Sequence, residues 1–78
     1  MSVRAKFKVQ NIERSLEYNS KKELQTINLN PVTDGSPENK EFYAYTPSGS
    51  IKLATVNAEA AAMFELGKEY YVDFTPAA

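Results

Sequence analysis

The sequence predicts a mainly β domain of the α+β type: a small five-stranded antiparallel barrel, SH3-like or OB-like, with one short helix before the last strand. Residues 3–9 and 69–74 alternate apolar with polar side chains, which is the period of a half-buried strand. Residues 58–66 are rich in helix formers and are followed by Gly67. With 78 residues, the chain has room for a single domain, over residues 1–78.

The composition predicts a folded protein of the cytoplasm. The hydrophobic fraction of 42% is sufficient for a core, and nine basic against ten acidic residues give a net charge of −1. The chain has no cysteine, and a secreted domain of this size usually needs disulfides, so we expect a reducing compartment. The first residues lack the apolar run of a signal peptide or membrane span. A small core also favours a homo-oligomer.

The first strand begins with four apolar residues on one face and basic residues between them. The apolar residues are Val3, Ala5, Phe7 and Val9. Ile12 and Leu16 then fall on the opposite parity, and a β-bulge near Gln10-Asn11 would return them to the buried face. The alternative is that the strand ends at Ile12.

The second strand is predicted from about Glu23 to Asn30, after a polar turn over residues 18–22. Ile27 and Leu29 share its inner face, and Pro31 interrupts the pairing. Residues 33–40 then contain glycine, proline and several turn formers, so we expect one long, mobile loop.

A hairpin is predicted over residues 41–56. Two runs rich in β-forming residues, 41–46 and 50–56, flank Pro47-Ser48-Gly49, whose proline and glycine suit a turn. Ile51 and Leu53 supply the inner face. Phe42, Tyr43 and Tyr45 cannot all point inward, so at least one aromatic ring should lie on the surface.

The helix is predicted over residues 58–66, capped by Asn57 and stopped by Gly67, with Ala60, Met63 and Phe64 on its packing face. The last strand then directs alternate residues to opposite faces. Tyr70, Val72 and Phe74 should face the core, and Tyr71 and Asp73 the outside.

The position of the helix favours an SH3-like over an OB-like barrel. In an OB-fold the helix usually lies between the third and fourth strands, whereas here it is predicted between the fourth and the fifth. An OB order remains open, and an open sheet with one helix is a third arrangement.

Catalysis is not expected. The sequence has no histidine and no cysteine, which removes the commonest general base, the usual nucleophile pairing and the usual zinc ligands. Asp34, Ser36 and Glu38 resemble a calcium loop only faintly, and a solvated turn is the preferred interpretation. For Asp73 we prefer a solvent-facing carboxylate paired with a lysine of the first strand to a half-buried acid with a raised pKa. We expect no enzyme activity, cofactor or metal.

Binding of single-stranded nucleic acid is an alternative function. Small barrels bind single strands by stacking bases on exposed aromatic rings in a basic groove. The candidate residues are Arg4, Lys6 and Lys8 for phosphates and Tyr43, Tyr45 and Tyr71 for bases. Three basic residues would neutralise few phosphates, and the tyrosines equally suit a core margin or a subunit interface.

Four stretches together resemble a group of short bacteriophage and prophage proteins. They are Ala5-Lys6-Phe7-Lys8-Val9, Gly35-Ser36-Pro37-Glu38-Asn39, Tyr45-Thr46-Pro47-Ser48-Gly49 and the segment from Phe64 to Pro76, which contains Gly67-Lys68-Glu69-Tyr70-Tyr71-Val72-Asp73-Phe74. The resemblance implies a phage accessory protein in the bacterial cytoplasm, and such proteins commonly act by binding.

The resulting hypothesis is a non-enzymatic binding protein that engages or inhibits a host factor, including a defence factor, or sequesters a small ligand. The loop over residues 33–40 and the surface aromatics form the expected contact region. Its residues are Tyr43, Tyr45, Tyr71, Asp73, Asp34 and Glu38. A virion or assembly component is a further alternative.

Overall fold

The computed structural model describes residues 3–19 and 21–77, which form four strands and two short helices in one mainly β fold. The elements are β1 (Val3–Leu16), β2 (Glu23–Pro31), α1 (Pro37–Tyr45), β3 (Ile51–Thr55), α2 (Ala58–Ala61) and β4 (Glu69–Phe74). The strands form one antiparallel sheet in the order β3-β2-β1-β4, curled into a half-barrel.

The predicted β-bulge is present in β1. Val9 pairs with Leu29 of β2, but Asn11 pairs with Asn28, so Gln10 is the additional residue. The strand continues to Leu16, and the alternative of an end at Ile12 is wrong. The bulge brings Ile12 against the core, but Leu16 is 73% exposed because it pairs with Glu23 beyond the regions that β3 and β4 cover.

The second strand is as predicted except at its end, where Pro31 does not interrupt the register but lies opposite Phe7 of β1. Ile27 and Leu29 are buried on the inner face of β2. The turn is closed by two backbone bonds: the Glu17 amide donates to the Lys22 carbonyl at 2.7 Å, and the Lys21 amide donates to the Glu17 carbonyl at 2.9 Å. Ser20, which the predicted turn includes, lies outside the described residues.

The predicted third strand, residues 41–46, is wrong, because these residues belong to helix α1. The helix begins inside the predicted loop: the Ser36 hydroxyl accepts a 3.0 Å hydrogen bond from the Asn39 amide, and Pro37 occupies the first turn. A serine cap followed by proline and an acidic residue is a helix-start signal, and here it overrides the β propensity of the aromatic residues. The helix ends at Tyr45, immediately before the Thr46-Pro47 pair that disfavours helical backbone.

The described residues therefore contain four strands instead of the predicted five. Residues 47–49 connect α1 to β3, and are not the turn of a hairpin. The predicted fourth strand is real, and its central part, Ile51–Thr55, pairs directly with β2. The loop predicted over residues 33–40 is correspondingly shorter, because α1 starts at Pro37.

The second helix is shorter than predicted. The Asn57 side chain caps it as expected, accepting from the Glu59 and Ala60 amides, but the helix spans only Ala58–Ala61. Its buried residue is Ala61, and not Ala60. The prediction that Gly67 stops this helix is wrong, because the helix ends at Ala61 and Ala62 is its C-cap. Gly67 has a left-handed φ of +83° in the turn before β4, and its amide donates to the Val9 carbonyl at 3.0 Å.

The core lies on one face of the half-barrel. Its buried members come from β1 and β2, and partly buried residues of β1, β3, β4 and the segment after α2 pack against them. The buried set is Ala5, Phe7, Val9, Ile27 and Leu29, and the partly buried set is Ile12, Ile51, Phe64, Tyr70 and Val72. We call this face of the sheet the concave face, and the face on which α1 lies the convex face.

Candidate binding groove

The concave face contains an apolar groove of about 580 Å³ between the two edge strands, β3 and β4. Its lining residues are Leu29, Ile51, Leu53, Met63, Phe64, Tyr70, Tyr71, Val72, Asp73 and Phe74. The alternation of β4 explains why Tyr70 and Val72 line the groove, because they pair with Phe7 and Ala5 of β1 and share their face. Tyr71 and Asp73 also border the groove, although their side chains bind Glu38 and Arg4. The groove is therefore a continuation of the core that stays open to solvent.

Tyr70 fixes one wall of the groove. Its hydroxyl donates to the Met63 carbonyl at 2.9 Å and accepts from the Glu65 amide at 3.0 Å. Its ring packs against Phe64 with 5.5 Å between the centroids. These contacts bind the segment after α2 to β4, so the wall is held by the fold before any ligand arrives.

Several large apolar side chains along the groove are exposed. Leu53 is 45% exposed, Phe74 55% and Met63 72%. Val3 pairs with Phe74 and is 64% exposed. The prediction that Phe74 and Met63 pack in the core is wrong, because within the described residues no element covers this end of the sheet. A continuous apolar surface of this kind typically marks a binding site.

The convex face has a different character, because charged residues of β1 pair there with carboxylates. Arg4 lies opposite Asp73 in the register, and its Nε and Nη2 donate to the two carboxylate oxygens at 2.7 and 3.1 Å. These hydrogen bonds, and the charge of Arg4, lower the pKa of Asp73. Asp73 is thus a solvent-facing paired carboxylate, but its partner is Arg4 and not a lysine, and its pKa is not raised.

Lys6 connects α1 to the sheet. Its Nζ donates to Glu38 Oε2 at 2.7 Å and lies 3.4 Å from Glu69 Oε1. The hydrogen bond to Glu38 is the main cause that raises the pKa of Lys6, and the reciprocal bond lowers the pKa of Glu38. The Lys6 side chain is only 12% exposed, so the α1 side of the sheet encloses most of this cation.

Tyr71 lies at the centre of the same cluster. Its hydroxyl donates to Glu38 Oε2 at 3.0 Å, and its ring is 5.9 Å from that of Phe42. Arg4 Cζ and Lys6 Nζ lie 4.9 and 5.5 Å from the ring centroid, within the range of cation–π attraction. The ring is thus already occupied by contacts within the chain.

Asn39 anchors the start of α1 beneath this cluster. It is buried, and its Nδ2 donates to the Asp34 carbonyl at 3.0 Å and to Glu69 Oε2 at 2.8 Å. Two donated bonds fix the orientation of the amide, since the reverse orientation would face its oxygen to the carboxylate of Glu69. Sequence reasoning missed Asn39, although its position three residues after Ser36 indicated a place in the first turn of a helix.

Of the residues predicted to bind a partner, Glu38, Tyr43 and Tyr45 belong to α1, and Asp34 lies just before it. Glu38, Tyr71 and Asp73 belong to the charged cluster, and the Asp34 carbonyl accepts from Asn39. Tyr45 is 82% exposed and Tyr43 41%. Of the predicted phosphate-binding residues, Arg4 and Lys6 are paired with carboxylates, and Lys8 is exposed opposite Glu69 in the register.

The groove itself was missed as a site, because the sequence assigned most of its residues to the core; Tyr71 and Asp73 are the two lining residues that were predicted to bind a partner. The alternating apolar residues of β3 and β4 correctly indicated which side chains share the inner face of the sheet. They did not indicate that part of this face is exposed to solvent. Over residues 3–19 and 21–77, the structure contains no cluster of three or more metal-ligating side chains and no helix long and apolar enough to cross a membrane.

Comparisons with protein-family models, with curated proteins and with solved structures found no match to this chain.

Proposed function

We propose that this chain is a non-enzymatic binding protein that sequesters a small apolar ligand in the groove of its concave face. The groove is the observation that carries the proposal. Its volume of about 580 Å³ lies within the range of about 300–1,000 Å³ that is usual for ligand pockets, and its lining is mainly aliphatic and aromatic.

The lining indicates the chemistry of the ligand. Leu53, Met63, Val72 and Phe74 offer no hydrogen bonds, and the one hydroxyl proton of Tyr70 is already donated to a carbonyl. A charged ligand would lose its hydration without compensation in such surroundings. The groove therefore suits an uncharged aliphatic chain or a flat aromatic ring.

The biological setting follows from the resemblance to short phage proteins. It supports an accessory protein that acts in the bacterial cytoplasm by withdrawing a ligand or by occupying a host factor. The absence of histidine and cysteine from the sequence supports a role without catalysis.

The order of the elements supports an OB-like type of barrel. The sequence favoured an SH3-like barrel because the helix was placed after four strands. With residues 41–45 in α1, helix α2 follows the third strand and precedes the fourth, which is the usual place of the helix in an OB-fold. The half-barrel would then lack the closing strand of a complete OB barrel.

A second candidate function is the binding of a host protein by the face of α1. Tyr43 and Tyr45 project from a helix that the Lys6, Glu38 and Tyr71 contacts hold rigidly, and exposed tyrosines are common in protein interfaces. Single-strand binding has less support, because carboxylates already neutralise Arg4 and Lys6. A third alternative is a component of the virion, which mass spectrometry of purified phage particles would test.

Fluorescence titration with N-phenyl-1-naphthylamine, an uncharged apolar probe, tests the proposed function. We expect saturable binding that Leu53→Glu weakens by about tenfold or more, because it places a charge among apolar groups. Tyr45→Glu is the matched control, since it adds the same charge on α1, and it should bind the probe like the natural chain. Absence of binding, or equal loss in both variants, would contradict the proposal.

A further inference from the structure

The chain exposes more surface than a compact monomer of its mass. Its accessible surface is 5898 Å², whereas a folded monomer of 8.7 kDa exposes about 4,700 Å². Its radius of gyration is 14.3 Å, and a compact domain of this length has about 11.5 Å. The dimensions of 43 × 34 × 20 Å describe a slab, and not a sphere.

Two parts of the fold expose large apolar side chains beyond the neighbouring elements. One is the end of the β1–β2 hairpin, where Leu16 and Tyr18 are exposed beyond the other strands. The other is the open concave face, whose margin carries the exposed side chains of Val3, Leu53, Met63 and Phe74. Within residues 3–19 and 21–77, only the concave face combines exposed apolar side chains with a groove that extends the core.

The size of the excess matches a dimer interface. The difference from a compact monomer is about 1,200 Å² per chain, and a stable interface buries about 800 Å² per partner. The excess is therefore large enough for an interface even if the hairpin end accounts for about a third of it. Because the net charge is only −1, the electrostatic repulsion between two copies is weak.

We infer that a second copy of this chain covers the groove, so that two half-barrels face each other across their concave sides. The inference rests on the proposed function, because it names what closes the same groove. Both edge strands, β3 and β4, border the open face, so the edges of the two copies meet when the faces do. Eight strands enclose a space that holds one small ligand, so the dimer shields the ligand from water.

Sedimentation equilibrium over a dilution series tests the dimer. We expect the natural chain to sediment with the mass of two chains. The Phe74→Glu variant should sediment with the mass of one chain, because in a dimer the substitution would bury two charges at the joined faces. Tyr45→Glu should remain dimeric. Circular dichroism of the Phe74→Glu monomer establishes that its strands are formed. A natural chain that sediments as a monomer at every concentration would overturn the inference.

Thiol labelling locates the interface without a disruptive charge. The sequence has no cysteine, so Met63→Cys and Tyr45→Cys each introduce a single thiol, both at exposed positions. We expect a bulky maleimide to react at least about tenfold more slowly with Met63→Cys in the dimer, and equally fast with both after dilution to monomers. Equal reactivity in the dimer would place the interface elsewhere and overturn the inference.

The two proposals fail separately. If the chain binds N-phenyl-1-naphthylamine as a monomer, the proposed function stands and the proposed dimer is contradicted. If the Met63→Cys thiol reacts slowly in the dimer but no probe binds, the face-to-face arrangement stands and the proposal of an apolar ligand is contradicted.

Discussion

The Tyr71 hydroxyl donates a 3.0 Å hydrogen bond to Glu38 Oε2 and so joins edge strand β4 to the first turn of α1. The same carboxylate oxygen accepts from Lys6 Nζ at 2.7 Å. One carboxylate thus holds a helix against two neighbouring strands. Glu38 and Tyr71, which were predicted to bind a partner, thus attach α1 to the convex face, whereas the apolar side chains of the groove belong to the concave face.

The charged cluster predicts a loss of stability in acid. The pKa of Glu38 and of Asp73 is lower in the folded state than in the unfolded chain, because of their hydrogen bonds to Lys6 and Arg4. Carboxylates with a lowered folded pKa stabilise the fold above their unfolded pKa of about 4, and this contribution is lost as the pH falls through the folded pKa. Urea denaturation at pH 7, 5, 4 and 3 should therefore show the free energy of unfolding decreasing below about pH 5.

A double variant identifies the groups responsible for the acid effect. Glu38→Gln with Asp73→Asn should be less stable than the natural chain at pH 7 and should show a smaller loss between pH 5 and 3. Glu41→Gln with Glu59→Gln, which removes two exposed carboxylates, is the control and should keep the natural slope. An unchanged slope in the first pair would contradict the assignment.

Asn39→Ala should destabilise the fold by about 1–3 kcal/mol, because it removes two part-buried hydrogen bonds, to the Asp34 carbonyl and to the Glu69 carboxylate. Asn30→Ala, at an exposed asparagine of β2, should change the free energy of unfolding by no more than about 0.5 kcal/mol. Chemical denaturation measures both. Equal effects in the two variants would show that Asn39 does not anchor α1.

Ile27→Ala should cost about 2–5 kcal/mol, since Ile27 is fully buried at the centre of the core. Leu16→Ala removes a side chain of similar size that is 73% exposed, and it should be nearly neutral. The midpoint of urea unfolding separates the two outcomes. A large effect of Leu16→Ala would mean that the hairpin end is covered, and a small effect of Ile27→Ala would contradict the position of the core.

Ser36→Ala should destabilise the fold by about 1 kcal/mol through loss of the cap of α1. Ser48→Ala, in the exposed connection after α1, is the matched control. The same samples allow Cα chemical shifts to be measured over residues 37–45. Cα chemical shifts typical of a helix would agree with α1. Shifts typical of a strand would contradict α1 and support the hairpin that the sequence predicted.

The paired strands β1 and β2 were predictable because their alternation is long and regular. The slip in parity after Val9 even indicated the bulge, since Ile12 could not otherwise reach the core. Helix α1 was missed because residues 41–45 have β-forming side chains, and the decisive signal lay earlier, at Ser36 and Pro37. In this segment the helix cap outweighs the β propensity of the aromatic residues.

The groove could not be predicted from periodicity. The period shows on which face of a strand a side chain lies, but not whether another element packs over that face. Leu53, Phe74 and Met63 occupy apolar positions whose exposure depends on what lies above them. That depends on the number of strands: a fifth strand over residues 41–46 would have helped to close the barrel. Once this segment forms a helix on the convex face, the concave face stays open.

The most direct test of the binding proposal is an isotope-filtered NMR experiment on the chain with N-phenyl-1-naphthylamine. We expect intermolecular contacts from the probe to the methyl groups of Leu53, Met63 and Val72, and none to Leu16 at the hairpin end. Contacts confined to residues outside the groove, or no contacts at saturating probe, would contradict the proposal that this groove is the binding site.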